Sequence, residues 1–170
     1  MADTVNLKAG QRAQRKTLIT VAEWGEDGAN REILGARTED SSIEFNPDIE
    51  TTTDILGITY SDVNKTEPQQ DFDPYYLLGG SKLGAYLAAA ALENDIDAYN
   101  GTFNIYIITA FIGTEGAYKC VKHSGCTILP TSIGGDSYVS MPIEVHYSNN
   151  IETGTVDKLT DEFVFTKDVA

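Results

Sequence analysis

Between residues 42 and 50 apolar and polar side chains take turns: Ile43, Phe45, Pro47 and Ile49 against Glu44, Asn46, Asp48 and Glu50. A period of two predicts one half-buried strand with an apolar and a polar face, and three of the four polar residues are acids. The run continues through TTTDILG, where Asp54 and Gly57 bracket a turn. ITYSDVNKT is β-rich again, so the two runs are expected to fold back on each other as a long hairpin. PQQDFDPYYLLGG then breaks any regular pattern and reads as a reaching loop over residues 66–80. SKLGAYLAAAALEND follows as a helix over 82–93, with Ser81 as N-cap. Leu83, Tyr86, Leu87, Ala90 and Ala91 share one apolar stripe at helical spacing.

Upstream, KTLITVAEW predicts the first strand, GEDGAN a turn, and REILGART a strand leading into the acidic one. Downstream, NGTFNIYIITAFIG is apolar on both faces, as a central strand of a sandwich or barrel should be. AYKCVKHSGCTILPTSI gives one bent strand or two, broken near Gly125. Gly134, Gly135 and Asp136 form a turn, after which Val139, Met141, Ile143, Val145 and Tyr147 alternate on one face. Pro142 lacks an amide donor and places that strand at an edge or a bulge. The last strands fall near TGTVD and EFVFTK. The pattern is mainly β: a β-sandwich or β-barrel of about eight strands with one flanking α-helix. Residues 1–15 lack periodicity and are expected to form a loose N-terminal arm that orders on contact with a partner, with 16–170 a single domain.

A chain of 170 residues buries roughly 70% of its unfolded surface and needs neither disulfide nor metal to fold. Its two cysteines, Cys120 and Cys126, could bridge across a hairpin; two buried free thiols are the expectation. The opening MADTVNLKAGQRAQRK holds no apolar core of signal-peptide length, and no run approaches a membrane span. A protein kept in the cytosol, with no membrane partner, is therefore expected. The net charge of −14 is unevenly spread: residues 1–22 hold Lys8, Arg12, Arg15 and Lys16 against one acid, Asp3. So acidic a body argues against stable nucleic-acid binding and suits self-association in which a basic arm meets an acidic neighbour.

Motifs for catalysis fail one by one. Gly79, Gly80, Ser81 and Lys82 precede a helix but lack the glycine spacing and residue order of a phosphate loop. Asp71 and Asp73 open like a calcium loop, yet Tyr75 stands at the next ligand position. Cys120, His123 and Cys126 recur every three residues, which suits structure better than zinc, because an unbroken strand would turn His123 away from the thiols. Asn64 and Asn100 head glycosylation sequons that matter only in a secreted chain. Glu44 and Asp48 could pair as acid and base, but a solvated strand face explains them as well. No catalytic, cofactor or metal site is expected.

TTTDILG, then DVNKTEPQQDFDPY, then GGSKL before a helix resembles the major tail tube proteins of phages of Gram-positive bacteria and of related phage-like particles. The match is carried by residues 49–87. The resemblance implies a β-sandwich with a flanking helix, and subunits that form rings, usually hexameric, stacked into a hollow tube around a tape-measure protein. It further implies a tail terminator and distal tail or baseplate proteins as partners, DNA only as transient cargo, and a place in a virion tail assembled in the host cytoplasm.

On that reading the acids Glu44, Asp48, Glu50, Asp54 and Asp62 are candidates to line the bore, where like charge keeps phosphates from sticking. The arm residues Lys8, Arg12, Arg15 and Lys16 and the residues Asn64, Lys65, Phe72, Asp73, Tyr75 and Tyr76 are candidates for contacts between rings. A long non-contractile tail is one version and the inner tube of a contractile tail or tail-like bacteriocin another. Two other classes stand beside it: a carbohydrate- or ligand-binding β-sandwich using Tyr60, Tyr75, Tyr76 and Tyr138, and a small hydrolase on a β-barrel.

Overall fold

A computed structural model describes residues 4–169. Eleven strands and one α-helix are assigned among them, in the order β1 (Leu18–Trp24), β2 (Asn30–Ile33), β3 (Ile43–Glu44), β4 (Asp48–Thr53), β5 (Thr59–Lys65), β6 (Gln69–Phe72), α1 (Lys82–Leu92), β7 (Phe103–Thr114), β8 (Ala117–Pro130), β9 (Ile143–His146), β10 (Ile151–Val156) and β11 (Phe165–Lys167). The fold is mainly β, with one helix on a large antiparallel sheet. Nine strands join in that sheet along the path β2-β1-β7-β8-β9-β6-β3, with β10 and β11 attached beside β8, while β4 and β5 pair only with each other.

One long strand makes the corner. The first part of β8 pairs with β7 and β10, and Thr127 to Pro130 pair with β9. The chain turns between them at Gly125, whose φ of +75° is one that L side chains rarely adopt. The sequence left one bent strand or two open; it is one strand, bent there.

β1 and β7 are buried on both faces, as the doubly apolar sequence of β7 requires. On one side Ala22, Trp24, Phe103 and Ile105 pack with Phe72, Ile128, Val145 and the helix residues Leu83 and Leu87. On the other, Val21, Tyr106 and Ile108 pack with Cys120, Val156 and Phe163. Apolar area removed from water at these two cores is the main stabilising term. Both cysteines are free and buried, and burial pushes the Cys120 thiol up to about 12.

The helix begins where the sequence places it. Ser81 Oγ accepts from Gly84 N at 3.0 Å. The helix ends with Asn94 at φ +56°, Asn94 N bonding Ala91 O and Asp95 N bonding Ala90 O, the double closure that an αL residue permits.

Three expectations are corrected. Residues 69–72 are not loop: β6 lies between β9 and β3, with Gln70 and Phe72 each 1% exposed. The signal was hidden because the inward residue is polar. Gln70 Oε1 accepts from Thr20 Oγ1 at 3.0 Å and from Tyr147 Oη at 2.7 Å, and its Nε2 donates to Ser41 Oγ at 3.1 Å. Burial of an amide is tolerated when its groups are paired. Second, residues 43–50 are not one strand. Asn46 takes φ +45° ahead of Pro47, which removes a ladder donor, so β3 stays in the sheet and β4 leaves it. Third, β9 is no edge strand, being paired on both sides; Pro142 sits just before its first residue, where no ladder amide is needed.

A buried ion pair fastens the C-terminal segment. Glu23 is 5% exposed and accepts from Arg31 Nε at 2.7 Å, Asn104 Nδ2 at 3.1 Å and Tyr106 Oη at 3.3 Å. Arg31 also donates to Phe163 O at 2.6 Å and lies 4.2 Å over the Phe163 ring. A carboxylate this buried is held only because its oxygens are satisfied.

Candidate functional site

The β4–β5 ribbon pairs with no other strand of the chain. Every residue of both strands is exposed. Ile49 stands across from Val63, Thr51 from Ser61 and Thr53 from Thr59, on one face; Glu50 stands across from Asp62 and Thr52 from Tyr60, on the other. The hydroxyl pairs Thr51–Ser61 and Thr53–Thr59 lie at 3.2 and 3.1 Å. An isolated two-stranded ribbon is marginal in water unless something packs on it.

Its turn is built by Asp54. The carboxylate Oδ1 accepts from Leu56 N at 2.9 Å and Ile58 N at 3.0 Å, the self-bonding that makes aspartate a turn former. Gly57, at φ +78°, completes it. This geometry lifts the side chains between into solvent: Ile55 is 102% exposed, Leu56 79% and Ile58 49%. Such an apolar tip is a marker of an interaction surface. At the base, Asn46 Nδ2 donates to Glu67 O at 3.1 Å and Lys65 Nζ meets Glu67 Oε1 at 2.7 Å.

The acids singled out from the sequence separate into different environments. Glu50 and Asp62 share the polar face of the ribbon, and Asn64 Nδ2 reaches Glu50 Oε2 at 3.4 Å. Asp48 lies opposite Lys65. Asp54 holds the turn. Glu44 is not on the ribbon at all: it sits on β3 beside a small cleft of about 210 Å³ that Asp40, Asp71 and Asp73 also line. The single acid-faced strand is thereby corrected to a ribbon pair, a turn former and a separate cleft. Among the described residues no group of three or more His, Cys, Asp or Glu is placed to hold a metal ion.

Among the contact candidates, Phe72 and Tyr75 are corrected. Phe72 is core, and Tyr75 is 7% exposed with its hydroxyl donating to Glu32 Oε2 at 3.1 Å; neither offers a surface to another molecule. Asp73 is exposed, and Tyr76 is half-buried. Lys8, Arg12, Arg15 and Lys16 are exposed, and Arg15 is also engaged within the chain, donating to Ser41 O from Nε at 3.2 Å and Nη2 at 2.8 Å. In the N-terminal segment, whose first three residues lie outside the described ones, Asn6 Nδ2 bonds Ala110 O and Gly113 O at 3.1 and 3.0 Å.

A second feature was only partly visible in the sequence, which offered Tyr76 and Tyr138 as binding aromatics but not the cleft they share. Arg37, Tyr76, Leu77, Leu78, Tyr138 and Val139 line an open cleft of about 500 Å³, with the rings of Tyr76 and Tyr138 edge to face at 6.5 Å. Three separate loops supply these residues, so no local pattern reveals it. The exposed tip did have a signal: two large aliphatics, Ile55 and Leu56, in a turn where polar residues are usual.

No protein-family model and no curated protein sequence matches the chain. Among solved structures, it is similar to a chain of the sheath–tube complex of an extracellular contractile injection system in its extended state, at 15% identity and a TM-score of 0.47, over 87% of this chain and 95% of that one. It is similar also to a chain of the anti-feeding prophage tube-terminating cap, at 14% identity and a TM-score of 0.48, over 88% and 95%. No helix among the described residues is long and apolar enough to cross a membrane.

Proposed function

We propose that the chain is the repeating subunit of a tail-like tube, joining copies of itself through the β4–β5 ribbon and the margins of the large sheet. The ribbon carries the proposal. It exposes both faces of both strands and an apolar tip, which in a lone soluble molecule forfeits burial and invites aggregation. In an assembly the same features become contact surface. The outer strands β2 and β3 hold unpaired ladder positions at the ends of the sheet path, and a closed ring removes such edges.

In this reading the subunits form stacked rings, hexameric as in the family the sequence resembles, around a tape-measure protein in a long non-contractile phage tail. The Glu50–Asp62 face turns toward the bore, so that DNA in transit meets carboxylates and gains no counterion-release affinity. The basic N-terminal arm, residues 1–15, orders against the acidic surface of a neighbouring copy. No catalytic step is part of the role. Tail terminator and distal tail proteins close the two ends.

Sedimentation across a wide concentration range with negative-stain imaging tests the role. Rings or tubes are expected at high concentration, and a variant in which residues 49–63 are replaced by a short Gly-Ser turn should stay folded and monomeric. A wild-type protein that remains monomeric at every concentration overturns it. Particles imaged from cells show whether a sheath surrounds the tube, which separates the non-contractile from the contractile version.

A further inference from the structure

Resting on the tube reading, we infer that the apolar tip of the ribbon in one copy seats in the Tyr76–Tyr138 cleft of the next. Tip and cleft are complementary in three respects. The tip presents the branched side chains of Ile55, Leu56 and Ile58, exposed at 102%, 79% and 49%, and the cleft presents Leu77, Leu78, Val139 and the two tyrosine rings. At about 500 Å³ the cleft is within the range of specific binding pockets, and its tyrosine rings and arginine are the residue types that most often carry binding energy.

Charge agrees as well. Arg37 is the one charged residue lining the cleft, and among the described residues it has no ion pair or hydrogen bond of its own. Its backbone stands at φ +63°, an uncommon conformation for a non-glycine residue that the surrounding fold has to hold in place. At the tip the charged residue is Asp54, whose Oδ1 is occupied by the turn while Oδ2 holds only the Tyr60 hydroxyl at 3.3 Å. An arginine fork and a carboxylate with a spare acceptor are suited to each other.

Finally, neither feature is satisfied within one molecule: Ile55 is 102% exposed and Tyr138 78%. A knob and a hole on different patches of one chain make a heterologous contact, which closes a ring or propagates a filament and does not stop at a dimer.

The test separates the pairing from the tube role. Leu56→Asp and Tyr138→Asp each spoil one half of the joint at exposed positions. Each should weaken self-association by on the order of a hundredfold while retaining the wild-type circular dichroism melt. Mixed one to one, the two variants should recover one joint, the intact cleft of the first taking the intact tip of the second, and give dimers that do not grow. Leu56→Cys with Val139→Cys should give oxidised oligomers in wild-type-like assemblies, and either cysteine alone should not. Variants that build tubes as the wild type does, or a mixture that stays monomeric, overturn the pairing and leave the tube role standing. Binding of a glycan array by the cleft, lost in Tyr138→Asp without effect on assembly, also overturns it. A wild-type chain that never associates overturns both.

Discussion

Glu50 and Asp62 face each other across the ribbon in register. Like charges directly opposite on a strand pair oppose pairing by a few tenths of a kcal/mol up to about 1, and nothing in the fold of the chain requires them there. Asp62→Lys should therefore stabilise the isolated ribbon slightly. If that face lines a bore, the variant should still assemble and should slow DNA release, and added salt should relieve the slowing because phosphate contacts are screened. Ejection kinetics at two ionic strengths check this; unchanged kinetics would place the acids elsewhere.

Gln70 joins β6 to β1 and to Tyr147. Gln70→Ala leaves the hydroxyls of Thr20 and Tyr147 without their shared acceptor in the core, at about 1–3 kcal/mol for each group stranded. A loss of about 3 kcal/mol in urea unfolding is expected, with little change in slope. A loss below about 1 kcal/mol would show that the network relaxes or admits water.

Two glycines should respond differently to alanine. At Gly125 a Cβ meets only distant atoms, and the cost is the left-handed φ itself, about 1–2 kcal/mol. At Gly113, φ +99°, the Cβ would run into the Ala117 carbonyl oxygen, so backbone must move as well. Gly113→Ala should lower Tm more than Gly125→Ala in parallel thermal melts.

The C-terminal strands should loosen in acid. Hydrogen bonding by Lys167 holds the Glu152 carboxyl below its ordinary value, and the Val164 amide does the same for Asp157. A depressed carboxyl contributes fully above its unfolded pKa, about 4, and its contribution fades as pH falls through the lower folded value. Asp157 is exposed and Glu152 half-buried, and each is held by a single nearby partner, so the effect is local. Amide protection at Val164 and along β10–β11 should fall below about pH 4 while β7 keeps its protection.

What the sequence determined by itself is whatever depends on neighbours along the chain. The Asp54–Gly57 turn, the helix with its Ser81 cap, the two-faced β7, the bend near Gly125 and the folding back of ITYSDVNKT on the run before it all follow from local pattern, because turns, caps and periodicity are set within a few residues. Tertiary structure decided the rest. It made a strand of residues 69–72, since Gln70 becomes an inward residue only when Thr20, Ser41 and Tyr147 converge on it. It took Phe72 and Tyr75 from the surface into the core. It also split the acidic run at Asn46, sending Glu44 into the sheet and Asp48 and Glu50 onto the ribbon. An alternating pattern says that one face will be covered, but not by what: Ile49 and Val63 alternate like half-buried residues, yet within this chain they stay 58% and 59% exposed.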